Sequence, residues 1–517
     1  MFHVKHLLNK ESFVRGIVFS SIINTVSKLI LFLTSLVLAN IFGAGNNTDI
    51  YFYLYSTLWL FITVFSSLNV AVIIPEAMQR RSREGERQAM HFFTFFLYVF
   101  MVVSLVVMAL LFLDPVLVVS WISKFDIPVL QEYRMMIFWF APLFPIILVT
   151  QYLIDLLNAY RYFILPVVTG LINNVLALVF ICLFFQILDL YSMILALYFG
   201  YFLHFGYLIY VMRRDFAWDF TPKIVYLKRH FKENFWVGLF GNFWNFIGKY
   251  ATNYFLSASG IGLLTAYNYG QKLTNVPTEA ITNQFSSVSA IRLNELMAQG
   301  SGQKSGSVFI RLCNVLIFIL TPIATIFYFY AEDIVSLFYL RGEFGLEDVM
   351  NTAFFMRYLG FLLPLYGVHT IVSRLYNAGQ IIKFSTIYSV ISNILIIGFL
   401  WVAFSLWGIW GIPFALLVQF LLNVVVAHFF IKHFFPWIGY GRVLVNLALM
   451  IAGCLALASG IVYLFDLSPW SGMVKMIAGS VAFGLTYLGM NELFSINRDV
   501  SNYIKKWLGI VVKHVRN

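Results

Sequence analysis

The sequence predicts an all-α polytopic membrane protein of about 14 transmembrane helices, arranged as two six-helix lobes followed by two C-terminal helices. Three observations carry this. Apolar residues are 61% of the 517-residue chain and charged residues 11%, with a mean hydropathy of +0.84, too apolar to fold around one aqueous core. Apolar stretches long enough to cross a ~30 Å hydrocarbon layer as helix recur along the whole chain. Of the 34 Lys and Arg residues, 26 fall in every second gap between those stretches.

Taken in order, the first seven spans are predicted near 13–41, 50–75, 92–113, 133–155, 163–187, 190–212 and 235–258. The other seven are predicted near 264–291, 308–330, 350–373, 384–405, 408–431, 443–465 and 473–493. Turn and polar residues such as Gly43 to Asn47 and Asp114-Pro115 separate them. Short loops rich in Lys and Arg stay cytoplasmic. Among the basic gaps are the N-terminal segment (Lys5, Lys10, Arg15), the loop after span two (Arg80, Arg81, Arg83, Arg87), the loop after span six (Arg213 to Lys232) and the tail. The opposite gaps hold Lys124, Arg341 and Lys475. Both termini are therefore predicted to be cytoplasmic. The formal charge of +11 reads as loops facing anionic headgroups, with no nucleic-acid partner.

The first apolar run is too long for a cleavable signal and is expected to remain in the membrane. Cys182, Cys313 and Cys454 lie inside predicted spans, too far apart in sequence for metal-ligand spacing, and read as packing residues. From 496 to 517 apolar residues alternate with Lys505, Lys506 and Lys513, the pattern of a basic amphipathic tail lying on the membrane surface.

A weak duplication divides the chain. Asn158-Ala159 after span four matches Asn377-Ala378 after span ten, and Asn174 matches Asn393, both 219 residues later; Arg213 falls on Lys432 by the same shift. The predicted division is a lobe over 1–215, a second over 216–436, and two further helices over 437–495. Each repeat has an even number of spans, so both have one orientation and are expected to enclose a central cavity.

Once the basic residues counted with the gaps are set aside, five remain: Lys28, Arg134, Lys249, Lys272 and Arg357. Arg134 and Arg357 are near span ends and can snorkel. A charge at the bilayer centre costs at least about 2.5 kcal/mol, so Lys28, Lys249 and Lys272 are expected to face a wet cavity or a partner, and a cationic cavity predicts an anionic substrate. Among acids, Glu279 lies well within span eight, Asp155 at a span end and Asp49 at the outer start of span two. Glu279 is the candidate coupling residue, seven residues after Lys272 and so two turns along the same face. Asn242, Asn245, Asn393 and Asn423 could ligate a cation, although interhelical hydrogen bonding is their commoner use.

The segments Ile41-Phe42-Gly43-Ala44-Gly45 with Asp49, and Val72 to Glu76 before a basic loop, resemble the start of the MurJ/MviN lipid II flippase family. Tyr267 to Leu273 with Pro277 resembles its eighth-helix motif and Ile334 to Phe344 its outer-loop signature, and Arg374 to Gly379 also fits the family. The resemblance implies a V-shaped pair of six-helix lobes, with helices thirteen and fourteen forming a groove for a lipid tail. It also implies a cargo of undecaprenyl-diphosphate-linked glycan, moved from the cytoplasmic to the periplasmic leaflet of the bacterial inner membrane by alternating access. Lys28 and Lys272 stand where relatives usually carry arginine, and Asp49 matches a functionally important aspartate. Lysine keeps the charge but loses the bidentate phosphate geometry. Where relatives have an Arg-Asp pair and a further arginine, this chain has Thr34, Ser35 and Ile62, and Glu279 replaces a small residue. Another lipid-linked polysaccharide or O-antigen unit fits nearly as well as lipid II.

A drug or cation antiporter of the same superfamily would favour acids or aromatics over Lys28 and Lys272. A membrane glycosyltransferase would need an outer-surface acid such as Asp49, but no P-loop, HExxH or nucleophile-elbow pattern occurs. The expectation is a transporter, not an enzyme, without a bound cofactor and acting as a monomer. It is expected to couple to membrane potential, H+ or Na+, among membrane lipids and proteins of cell-wall or polysaccharide biosynthesis. Lys28, Lys249 and Lys272 are the candidate diphosphate contacts and Asp49 a functional acid.

Overall fold

In a computed structural model of the protein, residues 13–501 are described apart from 217, 219, 222, 224, 259, 495, 498 and 499. Most of the expected tail over 496–517 thus lies outside the described residues. The described residues form helices with no strand, as a membrane interior requires when every backbone N–H and C=O must be paired within its own segment. Among them, 11 helical stretches are long and apolar enough to cross a membrane; one, Lys383–Phe434, takes in both predicted spans eleven and twelve, joined through Gly408–Gly411. The expected count of fourteen is not reproduced by that criterion. The predicted spans seven and eight are helical but carry more polar residues.

The chain divides into two compact units, one of residues 1–265 with 341–345, the other of 266–340 with 346–517. In the first, Phe13–Phe42 packs along Ile164–Leu188, which packs on Tyr191–Phe216; Leu143–Ala159 contacts Asn46–Leu68, Glu86–Leu113 and Tyr191–Phe216. Arg229–Leu256 lies along Asn46–Leu68, held by Asn253 Nδ2 donating to Ser56 Oγ at 2.9 Å and by the Tyr53 and Tyr250 hydroxyls meeting at the Ile122 carbonyl. This helix therefore belongs to the first unit by contact, although the repeat reading begins the second half at 216. In the second unit, Leu362–Ala378 contacts Asn283–Ala298, Gly302–Phe329 and Ile412–Phe434, and Ile382–Trp407 packs on Ile412–Phe434.

Those pairings repeat. Spans two, three and six surround span four, and spans eight, nine and twelve surround span ten; five packs on six as eleven packs on twelve. The backbone repeats as well. After span four, Arg161 turns left-handed at φ 68° and donates its N–H to Asn158 O at 3.1 Å; 219 residues on, Gln380 does so at φ 58° and donates to Asn377 O at 3.2 Å. Asp189 and Gly408, again 219 apart, carry φ 50° and 58° after spans five and eleven. Positive φ is uncommon outside glycine, so two coincident pairs mark the duplication in the folded chain. In both repeats a π turn interrupts the second helix, Asn69–Ile73 ahead of Pro75 and Thr278–Thr282 after Pro277.

Candidate functional site

One end of the first unit is built around Asp49. Gly262 begins helix Leu263–Pro277 at φ +79°, and a Cβ there would lie 2.5 Å from the Ala44 carbonyl. Only glycine fits, and glycine has no side chain with which to cap a helix. Asp49 supplies the cap from elsewhere in the chain: its carboxylate accepts from Gly262 N at 2.7 Å, Thr265 N at 2.8 Å and Thr265 Oγ1 at 2.6 Å. An anion at a helix N-terminus is favoured by the exposed N–H groups and the helix dipole. Beside it, Glu343 N donates to Asn40 O at 3.0 Å, and a Cβ on Gly342, at φ +60°, would lie 2.0 Å from that oxygen. The Ile41 to Gly45 and Arg341 to Gly345 segments, far apart in sequence, therefore close on one another within this unit.

Of the three candidate phosphate lysines, Lys28 is half-buried on Phe13–Phe42, next to Ser27, whose Oγ accepts from Asn174 Nδ2 at 2.8 Å; Lys249 is exposed on Arg229–Leu256. Both belong to the first unit and Lys272 to the second. Lys272 Nζ lies 5.5 Å from the centroid of Tyr269, whose ring packs at 4.9 Å on Tyr339, and Gly270 lets this helix approach Thr352 and Met356 closely. A ring face within about 6 Å attracts a cation, so the eighth-helix motif holds its lysine against an aromatic wall. Glu279, the candidate coupling residue, falls inside the π turn Thr278–Thr282. The regular 3.6-residue period behind the shared-face expectation does not hold across that turn. Arg357 donates to Tyr328 O at 3.1 Å and Glu332 Oε1 at 3.0 Å, a structural anchorage.

A polar centre that the sequence reading passed over lies at the other end of span two. Asp155, 6% exposed on Leu143–Ala159, accepts from Ser66 Oγ at 2.8 Å, Asn69 Nδ2 at 3.3 Å and Gln151 Nε2 at 2.8 Å. Its signal was present in Ser66 and Asn69, three residues apart in an apolar run, but spacing alone does not say what faces them.

The sequence model of the family described as lipid II flippase MurJ matches residues 38–478. The chain belongs to the lipid II flippase MurJ family. Two relatives are each named probable lipid II flippase MurJ. That of Borreliella burgdorferi is 20% identical over 78% of this chain and 80% of its own length. That of Bdellovibrio bacteriovorus is 24% identical over 48% and 49%. Among solved structures, lipid II flippase MurJ in an inward closed conformation superposes with a TM-score of 0.76 at 17% identity, covering 92% of this chain and 100% of that one. An inward-facing multidrug resistance MATE family transporter gives 0.58 at 12% identity over 80% and 95%. Both structures share the fold of this chain.

Proposed function

We propose that this protein is a flippase moving an undecaprenyl-diphosphate-linked glycan, lipid II or a related precursor, across the bacterial inner membrane from the cytoplasmic to the periplasmic leaflet. The observation that carries the reading is membership of the MurJ family over 38–478, which takes in Lys272 and its aromatic wall. Lys28, Lys249 and Lys272 provide the positive charge for the diphosphate, and both termini lie in the cytoplasm. Helices Tyr440–Asp466 and Gly472–Phe494 expose apolar side chains such as Val445, Leu449 and Leu485, a surface suited to a polyprenyl tail. Alternating access resets through membrane potential or an ion, and the chain works as a monomer.

At two of the positions where relatives carry charges, Thr34 and Ser35 are buried and bond their hydroxyls to Ile30 O at 2.9 Å and Phe32 O at 2.7 Å; at the third, Ile62 is buried. These three side chains offer an incoming phosphate no charge, so the burden falls on the lysines.

Depleting the protein in its native host, with lipid II and surface polysaccharide scored together, tests the cargo. Lipid II accumulation with lysis supports peptidoglycan; normal lipid II with lost surface glycan assigns another lipid-linked unit. A folded Lys28→Ala/Lys272→Ala variant that transports at the normal rate would remove the charge-based part.

A further inference from the structure

Asp155 carries a charge problem that its surroundings do not solve. All three of its partners are neutral, and no Lys, Arg or His forms an ion pair with it among the described residues. A carboxylate buried in a membrane-spanning bundle without a counter-charge costs several kcal/mol, roughly, even when hydrogen-bonded. A second observation points the same way. Asn69 is fully buried, and its Oδ1 has no hydrogen-bond partner. It also opens the π turn Asn69–Ile73, a departure from regular helix that often marks functional sites. Ser66, Asn69 and Gln151 are each able to donate or accept: a hydroxyl rotates, and the two ends of an amide are exchanged by a flip. The same three groups can solvate the bare carboxylate through their hydrogens or help it bind a cation through their oxygens.

The second repeat has a built-in answer to this problem. The residue 219 after Asp155 is Arg374, and 220 after Ser66 is Ser286. Arg374 Nε donates to Ser286 Oγ at 2.8 Å, at the contact between spans eight and ten that corresponds to the contact between two and four. The place that holds a permanent positive charge in one repeat holds a carboxyl group without a basic partner in the other.

We propose that Asp155, Ser66, Asn69 and Gln151 form a monovalent-cation site in the first unit, where one alkali ion or one proton neutralises the carboxylate. A single carboxylate among neutral oxygens balances one positive charge, and a divalent ion would leave an excess. Only the use of this site to couple transport rests on the flippase reading; the binding itself does not.

The test is therefore made without cargo. The purified full-length chain in lipid nanodiscs is assayed for radioactive sodium binding, and its carboxyl infrared band is followed across pH in sodium-free buffer. The expected result is either one displaceable sodium per chain, lost in Asp155→Asn and weakened in Ser66→Ala, or no sodium binding and a carboxylic-acid band that persists at neutral pH and is missing from Asp155→Asn. The first assigns the alkali ion and the second the proton. Sodium binding equal in wild type and Asp155→Asn, together with no neutral-pH carboxylic-acid band assignable to Asp155, would overturn the proposal. Asn nearly preserves the volume of Asp, and Ser66→Ala gives a second folded variant. A failed flippase reading would show in cargo assays while leaving both measurements intact.

Discussion

Span four and span ten are the same helix written twice, yet one ends in Asp155 beside Ser66 and the other in Arg374 beside Ser286. Both contacts use a buried or half-buried charged residue and a serine from the second helix of its own repeat. Their difference is chemical permanence. A guanidinium keeps its charge at any working pH, whereas a carboxylate can be neutralised by a proton or an ion. One repeat therefore has a fixed charge and the other an exchangeable one, which teaches that a duplicated bundle can keep its packing while assigning its halves different electrostatic work.

The largest loss of stability is expected at a third charged site that serves as a standard for the other two. Asp49→Ala strands the buried N–H groups of Gly262 and Thr265, at a cost of about 3 kcal/mol, while Asp49→Asn, which still accepts, costs less. Thermal unfolding in one detergent should rank them in that order. Arg374→Ala, losing a charge-assisted bond to Ser286, is expected to cost about 2 kcal/mol. Its unfolding temperature should fall equally with and without sodium. A sodium-dependent loss there would break the contrast between fixed and exchangeable charge.

Smaller effects sharpen it. Ser66→Ala and Ser286→Ala each remove one hydroxyl and are expected to cost about 1 kcal/mol. Only Ser66→Ala should also change how stability responds to sodium or pH, read from unfolding midpoints at several ion concentrations. Asp155→Asn is expected to shift the midpoint little, because the neutral amide keeps hydrogen-bonding capacity to Ser66, Asn69 and Gln151 and needs no neutralising ion. Its signature is a flat response to the ion that stabilises wild type.

How much of this was legible follows from what each signal depends on. The helical class, the duplication and the family motifs depend on local composition and on spacing along one chain, and Asn158 and Asn377 mark the same turn in the folded backbone as in the sequence. The cap made by Asp49 was not legible, because its donors lie 213 and 216 residues away. Asp155 read as a span-end residue since a hydropathy window reports position along the helix and not burial within a bundle. Glu279 was placed by assuming an even helical period that the π turn interrupts. Composition finds charges in membranes, but only packing identifies what neutralises them.

The smallest effect is expected outside the spans, and it separates burial from ion binding. Asp333, on Ala331–Tyr339, has its carboxyl raised above the usual range by partial burial first and then by Glu332 and Asp466. The folded state thus holds this proton more tightly than the unfolded chain does. The stability it contributes is present at low pH and lost as pH rises from the ordinary aspartate value toward the raised one. Asp333→Asn should therefore be slightly more stable than wild type at neutral pH, with the gain vanishing in acid below about pH 4. The side chain is partly exposed and screened by water, so the shift is small. Unfolding midpoints across pH, with and without sodium, check it: Asp333→Asn should flatten a pH slope while leaving the sodium response unchanged. If it also abolishes sodium binding, the exchangeable charge belongs to the Glu332, Asp333 and Asp466 cluster, and Asp155 becomes a buried hydrogen-bonding residue.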